Sequence, residues 1–559
     1  MLIIHGKGVS GGVAIGRARL LRRERVCVEE REIEDPNAEW GRYEAALERT
    51  VNELEQLAAW SMGELGQTGA QLFEVHAMIA RDEDFNETVR SVILNRRNAE
   101  YAVNEAAEQC ARMLAEMEDA YMRERADDVR DIAERILRHL AGRGEQENED
   151  MTRGGMGDII CARDLTPSET VQLDRATVSA FVTGSGSTNS HTAILSRTMG
   201  LPAIVRVGEA LEHIRDGMLL ALDADEGRVY LEPDAQTLRR LRQRIESETR
   251  MRELLGQYRD RDSCTLDGHR VEVCANIGSV EDVRKACEVG AEGIGLFRSE
   301  FLYMGRDDLP DEEEQLAAYR QVLEQMPERR VVVRTLDIGA DKQAAGLSLP
   351  AEDNPALGLR AIRISLSRPE LFLTQARALL RASCYGRLAV MFPLIVSERE
   401  VVELRELWDR AARELREEKI PFSEAVELGI MIETPAAAVI SDRLATLVDF
   451  FSIGTNDLTQ YTLALDRQNA ALERFCDTHH EAVLRLIRYT VDSAHRAGIW
   501  VGVCGELAAD PTMTEPLLRM GVDELSVAPS ALLGVRERIC HMRLDETETA
   551  KSMKGSVVQ

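Results

Sequence analysis

VEVCANIGSVEDVRKACEVGAEGIGLFR, residues 271–298, reads as a short apolar run, a segment of helical pattern and a second short apolar run. Eight such runs follow one another at 271–275, 293–297, 331–336, 388–392, 428–432, 450–453, 500–503 and 524–527, with helical patterns between most of them. Eight β-α repeats over about 280 residues have the size and rhythm of a (β/α)8 barrel, whose functional groups stand at the C-terminal ends of the strands. An open doubly wound sheet fits the same rhythm, and the count of eight favours the barrel.

The residues just past each run are therefore the informative ones. Arg298 follows the second run, in GLFRSEFL; Arg334 and Asp337, with Lys342 beyond, follow the third, in VRTLDIGADK. Glu433 follows the fifth, in IMIETPAAA, and Asn456, Asp457 and Arg467 follow the sixth, in SIGTNDLTQYTLALDR. Cys504 and Glu506 follow the seventh, in VCGELAAD. Any one of these is an ordinary loop-end charge or strand cysteine when taken alone, but five strand ends would carry them to one face. Guanidinium forks suit a small anion bearing both phosphate and carboxylate. Glu433 and Asp457 suit a divalent ion of the Mg2+ type, which takes oxygen ligands and completes its shell with water and substrate oxygens. Cys504 is a candidate general acid, and its bland alternative is a buried strand thiol.

Upstream of the barrel, residues 183–205 read TGSGSTNSHTAILSRTMGLPAIV. His191 stands behind a run of Gly, Ser, Thr and Asn and ahead of apolar residues of helical spacing, Ile194, Leu195 and Met199, with Gly200 and Pro202 closing the segment. A helix mouth offers free N–H groups and partial positive charge, so an imidazole there can take and hold a phosphoryl group. The plain alternative is a polar first-turn residue after a Gly/Ser loop.

Residues 1–30 and 148–235 have mixed β/α character. They include alternation around glycines at the N-terminus, β-like runs at 158–161 and 178–183, and two strands around a turn at 225–227. Between them, residues 31–147 read as a bundle of about four helices, with apolar stripes at Tyr43, Leu47, Val51, Leu54 and Ala58 and at Val129, Ile132, Ile136 and Leu140. Breaks are expected at 63–69 and 95–98. The expected architecture is a multidomain α/β chain: a β/α domain carrying His191 and interrupted by the helical bundle, a linker helix at 236–262, the barrel at 263–545 and a frayed tail at 546–559.

The chain has 559 residues, and 97 acidic against 69 basic side chains give a formal charge of −28. Residues 31–150 hold 29 acidic and 14 basic residues, so the bundle carries more than its share. Such a surface repels nucleic acid and anionic membranes and suits a partner with a basic face. No apolar run approaches a membrane span, the N-terminus is too short and polar for a secretory signal, and ten cysteines without a C-x-x-C pair indicate neither zinc ribbon nor disulfide framework. The expected location is the cytoplasm.

The motifs resemble those of the phosphoenolpyruvate-utilising enzymes, the family of enzyme I of the bacterial phosphotransferase system, pyruvate phosphate dikinase and phosphoenolpyruvate synthase. GSTNSHTAILSR followed by LPAIV is similar to the family's phosphohistidine motif, and YMRERADDVRDI at 121–132 and EDNPALGLRAIRI at 352–364 are similar to further family segments. The resemblance, which is to enzyme I in particular, implies that His191 carries the phosphoryl group. It implies that Arg298, Arg334, Asn456, Asp457 and Arg467 bind phosphoenolpyruvate, that Glu433 and Asp457 hold Mg2+, and that Cys504 protonates the leaving enolpyruvate. It also implies a helical insert that docks the phosphocarrier protein HPr, a homodimer formed through the barrel, and a hinge near 236–260. The implied role is the first step of sugar uptake, or, as an alternative, the nitrogen-regulatory branch acting on an HPr paralogue. That no sensory domain precedes Met1 favours the sugar branch. A dikinase would need a nucleotide-binding domain, and no G-x-x-x-x-G-K loop occurs. A non-catalytic relative would be expected to lack His191, Cys504 or a metal carboxylate. Departures from the family pattern are Gly12 for Pro, Ser187 for Gly, Ser299 for Thr and Ala340 for Gly.

Overall fold

The computed structural model describes residues 1–21, 28–64, 67–115, 120–142, 157–163, 165, 177–186, 192–193, 196, 199–304, 306, 308–339, 344–347, 349–350, 352–467 and 469–545. It divides into two compact units, Met1–Arg250 and Met251–Gln559.

The first unit holds an eight-stranded sheet. Its strands are β1 (Leu2–His5), β2 (Lys7–Ser10), β3 (Val13–Leu20), β4 (Asp158–Ala162), β5 (Val178–Thr183), β6 (Ala203–Val205), β7 (Leu219–Asp223) and β8 (Arg228–Leu231), in the order β1-β8-β7-β3-β4-β5-β6-β2. The central pairs β3–β4, β4–β5 and β5–β6 are parallel, and the pairs toward both edges are antiparallel. Ile159, Ala180, Val182, Ile204, Leu220 and Leu222 bury one face of this sheet, and Ile160, Phe181, Ala203 and Val205 bury the other. Burial on both faces is what near-continuous apolar runs, rather than alternation, lead one to expect.

Gly12 shows why proline is absent there. Its φ is 113°, outside the range a pyrrolidine ring permits, and its N–H donates to Asp225 Oδ1 at 3.2 Å.

Among the described residues five helices run between β3 and β4: α1 (Pro36–Glu64), α2 (Gln67–Ala80), α3 (Glu83–Leu94), α4 (Ala99–Ala115) and α5 (Ala120–Leu140). The expectation of about four is one short. One break that the sequence reading does not name lies at Asp82, whose carboxylate caps α3 by accepting from the Phe85 amide at 3.0 Å, with Glu83 and Asp84 in the first turn. Tyr43, Val51, Val89, Ile93, Val103, Val129, Ile132 and Ile136 meet in the bundle core.

Helix α6 (Ala235–Gly256) ends six residues before the expected 262 and starts bound to the sheet. Leu241 is buried against Ala221 and Tyr230, and Arg244 pairs with buried Asp223 at 3.1 Å and with Asp225.

The second unit is a closed, all-parallel barrel of β9 (Glu272–Ile277), β10 (Ile294–Arg298), β11 (Arg330–Arg334), β12 (Arg387–Phe392), β13 (Glu427–Ile432), β14 (Phe450–Ile453), β15 (Trp500–Val503) and β16 (Glu524–Val527), with β16 closing on β9. Each strand falls on an apolar run read from the sequence, within two residues. Leu296, Val332, Ala389, Met391, Met431 and Phe450 form an inner cluster, while a separate, larger cluster joins the strands to the surrounding helices. Among the described residues no helix is long and apolar enough to cross a membrane.

Candidate active site at the barrel mouth

The C-terminal strand ends bring most of the singled-out residues onto one face. Arg334 ends β11 and is nearly buried, as are Asp337, Glu433 and Cys504. Its Nη1 lies 2.9 Å from Asp337 Oδ2, and its Nη2 donates to Glu300. Asp337 Oδ1 accepts from Arg360 Nη2 at 2.9 Å, so one carboxylate pins two guanidiniums. Burial alone would lower both arginine pKa values, but the surrounding carboxylates more than offset it and hold both charges firmly. Nothing in the sequence marks Glu300 or Arg360 as partners of this site. Their pairing depends on how two loops fold over the strand ends, and spacing carries no signal of that.

Ser299 explains its own departure from threonine. Its hydroxyl donates to the Arg334 carbonyl at 2.7 Å and accepts from Gln375 Nε2 at 3.1 Å, and neither bond needs the extra methyl group.

Glu433, just past β13, accepts from the Leu394 amide at 2.6 Å. Leu394 has a φ of 54° and Ala361, next to Arg360, has φ 53° and ψ −131°. Two non-glycine residues with positive φ thus aim backbone and side chain at the same site, a cost that functional sites commonly bear. Burial, and then the negative charges of Asp457 and Asp337, push the Glu433 carboxyl up to about 8. Carboxylates held together against their own repulsion are the donor set a divalent cation would relieve, so the residues present fit the expected ion.

Cys504 is the first residue past β15. Its amide donates to the Ile453 carbonyl at 3.1 Å and its Sγ points at the same oxygen at 3.7 Å. Burial pushes its thiol up to about 11, against the pull of Ser452 and Arg334, so it stays protonated at neutral pH. Asn456 and Glu506 clasp each other: the Glu506 amide donates to Asn456 Oδ1 at 2.9 Å, and Asn456 Nδ2 donates to Glu506 Oε1 at 3.1 Å.

The remaining residues sit at the rim. Arg298, the last residue of β10, is exposed, and Arg467, also exposed, has its Nε 3.8 Å from Asp457 Oδ1. His191, Lys342, Ser187 and Ala340 lie outside the described residues. Beside His191, residues 192–193, 196 and 199 have helical backbone, and Gly200 has a φ of 66°.

A second polar group that could hold an ion comprises Glu272, Cys274 and Glu524, with ligand atoms within 4.8 Å of one another. It lies at the opposite, N-terminal end of the barrel. There Arg330 Nη2 already bonds Glu272 and Glu524, so a guanidinium provides the cation.

Three family models match the chain in succession: the N-terminal domain of PEP-utilising enzymes over residues 5–125, their mobile domain over 154–227 and their PEP-binding domain over 252–544. The chain is 41% identical over 537 residues to a phosphoenolpyruvate-protein phosphotransferase of Priestia megaterium, covering 96% of this chain and 93% of that one. The chain belongs to the PEP-utilising enzyme family. Other members of that family, also phosphoenolpyruvate-protein phosphotransferases, are 41% identical in Bacillus subtilis, covering 98% of this chain and 96% of that one, and 42% identical in Haemophilus influenzae, covering 98% and 95%. The family's PEP-binding match spans the whole mouth described above, from β9 to past β16.

Proposed function

We propose that the chain is a phosphoenolpyruvate-protein phosphotransferase that phosphorylates its own His191 and passes the phosphoryl group to a histidine of HPr or an HPr-like carrier. The observation that carries this reading is the buried set at the barrel mouth. Paired arginines, closely placed carboxylates and a protonated thiol there together meet every need of a substrate that bears phosphate and carboxylate and leaves as an enolate.

Arg334, held by Glu300 and Asp337, and the exposed Arg298 and Arg467 take the phosphate and carboxylate of phosphoenolpyruvate, with Asn456 and Asp457 beside them. Glu433 and Asp457 would hold a divalent cation, Mg2+ in this reading, which when bound neutralises phosphate oxygens and the developing enolate charge. The phosphorus–oxygen bond of the ester breaks as a bond forms from the phosphorus to His191 Nε2, in the in-line displacement that positioning and charge neutralisation suffice to promote. Enolpyruvate then takes a proton on its terminal carbon from Cys504, whose burial keeps the thiol protonated until it is needed. Pyruvate leaves, and phospho-His191 is the donor to the carrier.

In the same reading, residues 1–30 and 148–235 form the phosphohistidine domain, 31–147 dock the carrier, 236–262 link and 263–545 bind phosphoenolpyruvate. The enzyme works in the cytoplasm as a homodimer through the barrel. Because Arg244 fastens the first half of α6 to Asp223 and Asp225, the hinge falls in the second half of the linker.

Incubation with phosphoenolpyruvate labelled in its phosphoryl group, with Mg2+, tests this. Alkali-stable, acid-labile label is expected on the wild type and absent from His191→Ala; equal label on both, or none on either, would overturn the assignment.

A further inference from the structure

Cys504 is held by more than its strand. The β15–β16 ladder stops at Val503 opposite Leu525, one residue before the thiol. Beyond that point the two chains are joined by a side chain from a third strand. Asn276, near the end of β9, donates from Nδ2 to the Cys504 carbonyl at 3.0 Å and to the Ser526 carbonyl at 3.1 Å. Its Oδ1 accepts from Ser526 Oγ at 2.6 Å. Two carbonyls and one hydroxyl use both amide hydrogens and the amide oxygen, and they fix which way the amide faces, since only the NH2 group can serve two carbonyls.

The opposite side of the segment is fixed as well. The Cys504 amide is bonded to the Ile453 carbonyl, and a Cβ on Gly505 would lie 2.7 Å from the Thr455 amide nitrogen, so the chain passes too close for any side chain. Asn456 then clasps Glu506. The residue carrying the thiol is thus bonded at its N–H by β14 and at its C=O by β9, and only the second bond is made by a side chain.

We infer that Asn276 is a positioning residue for proton delivery: it fixes the Cys504 carbonyl and through it the direction of the thiol across the barrel mouth. This rests on the reading of Cys504 as the acid that protonates enolpyruvate. Without the Asn276 amide the Cys504 carbonyl loses this bond, the Cys504–Gly505 peptide can tilt within its remaining contacts, and the Sγ leaves the line to the substrate carbon.

The test is a double-mutant cycle on the full-length protein with phosphoenolpyruvate and Mg2+, following pyruvate formed in a single turnover at His191. Asn276→Ala is expected to slow pyruvate formation about 10- to 100-fold, the range in which a misplaced acid acts, with the phosphoenolpyruvate concentration at half-maximal rate unchanged. Asn276→Asp keeps the acceptor for Ser526 Oγ but sets a carboxylate oxygen against the two carbonyls in place of the donor, so it gives at least the same loss, with folding checked by its thermal midpoint. Decisively, Asn276→Ala adds no further slowing in a Cys504→Ala background, because the group it positions is gone. Equal slowing in both backgrounds, or wild-type rates for Asn276→Ala and Asn276→Asp, would overturn the proposal while Cys504→Ala alone remains slow. A wild-type rate for Cys504→Ala would instead sink the acid assignment, and the positioning role with it.

Discussion

The two ends of the barrel carry the same kinds of residue and put them to different uses. At the N-terminal end Arg330 bonds Glu272 and Glu524, stands 3.9 Å from Glu427 and lies 3.8 Å over the Trp500 ring, which stacks in turn on Phe450. Trp500 Nε1 donates to Glu427 at 2.9 Å, so cation, carboxylates and indole satisfy one another. At the C-terminal end Arg334 and Arg360 share Asp337, while Glu433 is left facing Asp457 and its carboxyl is pushed up to about 8 by burial and by that neighbour. Every carboxylate named at the first end lies within reach of the Arg330 guanidinium, whereas Glu433 at the second end faces a like charge, which suits the first end to a plug and the second to a cation. The presence of buried charge therefore says less about function than whether each carboxylate meets a cation.

The sharpest way to break the comparison is Asp337→Asn. It removes the charge that holds two guanidiniums and is expected to lower kcat/KM for phosphoenolpyruvate by about 100-fold or more, the loss of one buried charge-assisted pair, in the fraction of the protein that stays folded. A stability loss with normal kcat/KM would make the mouth a second plug. Arg330→Met should do the reverse. It strands Glu272 and Glu524 and is expected to cost about 3–5 kcal/mol of barrel stability in a denaturant titration, while the fraction that stays folded turns over normally. The smallest effect concerns pH. Burial first, with the Glu272 charge added, pushes the Glu524 carboxyl up to about 7 against the pull of Arg330. The folded state then binds a proton on Glu524 more tightly than the unfolded chain, so the contribution of this group to stability is greatest below about pH 4 and is lost as pH rises to about 7. Glu524→Gln should flatten the thermal midpoint over that window; an unchanged slope would show that Arg330 already keeps Glu524 ionised.

Much of this was legible in the residues. The eight strands announced themselves because each is a short, β-branched or aromatic run buried on both sides, VVV at 331–333 being the clearest. Residues at the strand ends were legible for the same reason, since a parallel barrel fixes where each strand points. The break at Asp82 was hidden because no glycine or proline marks it, only an acidic cap. Glu300, Arg360 and Asn276 were not legible as partners: their contacts are made across 34, 23 and 228 residues of chain, by loops and strands whose meeting no local pattern encodes.

Asn276 stands on the first strand of the barrel and the carbonyl it holds follows the seventh, beside an eighth strand that closes the ring. During synthesis this anchor waits for nearly the last segment of the barrel to leave the ribosome. Until β16 has docked, a nascent chain can expose arginines and carboxylates at the mouth while its thiol is still unaimed, so chemical competence arrives as the final event of assembly.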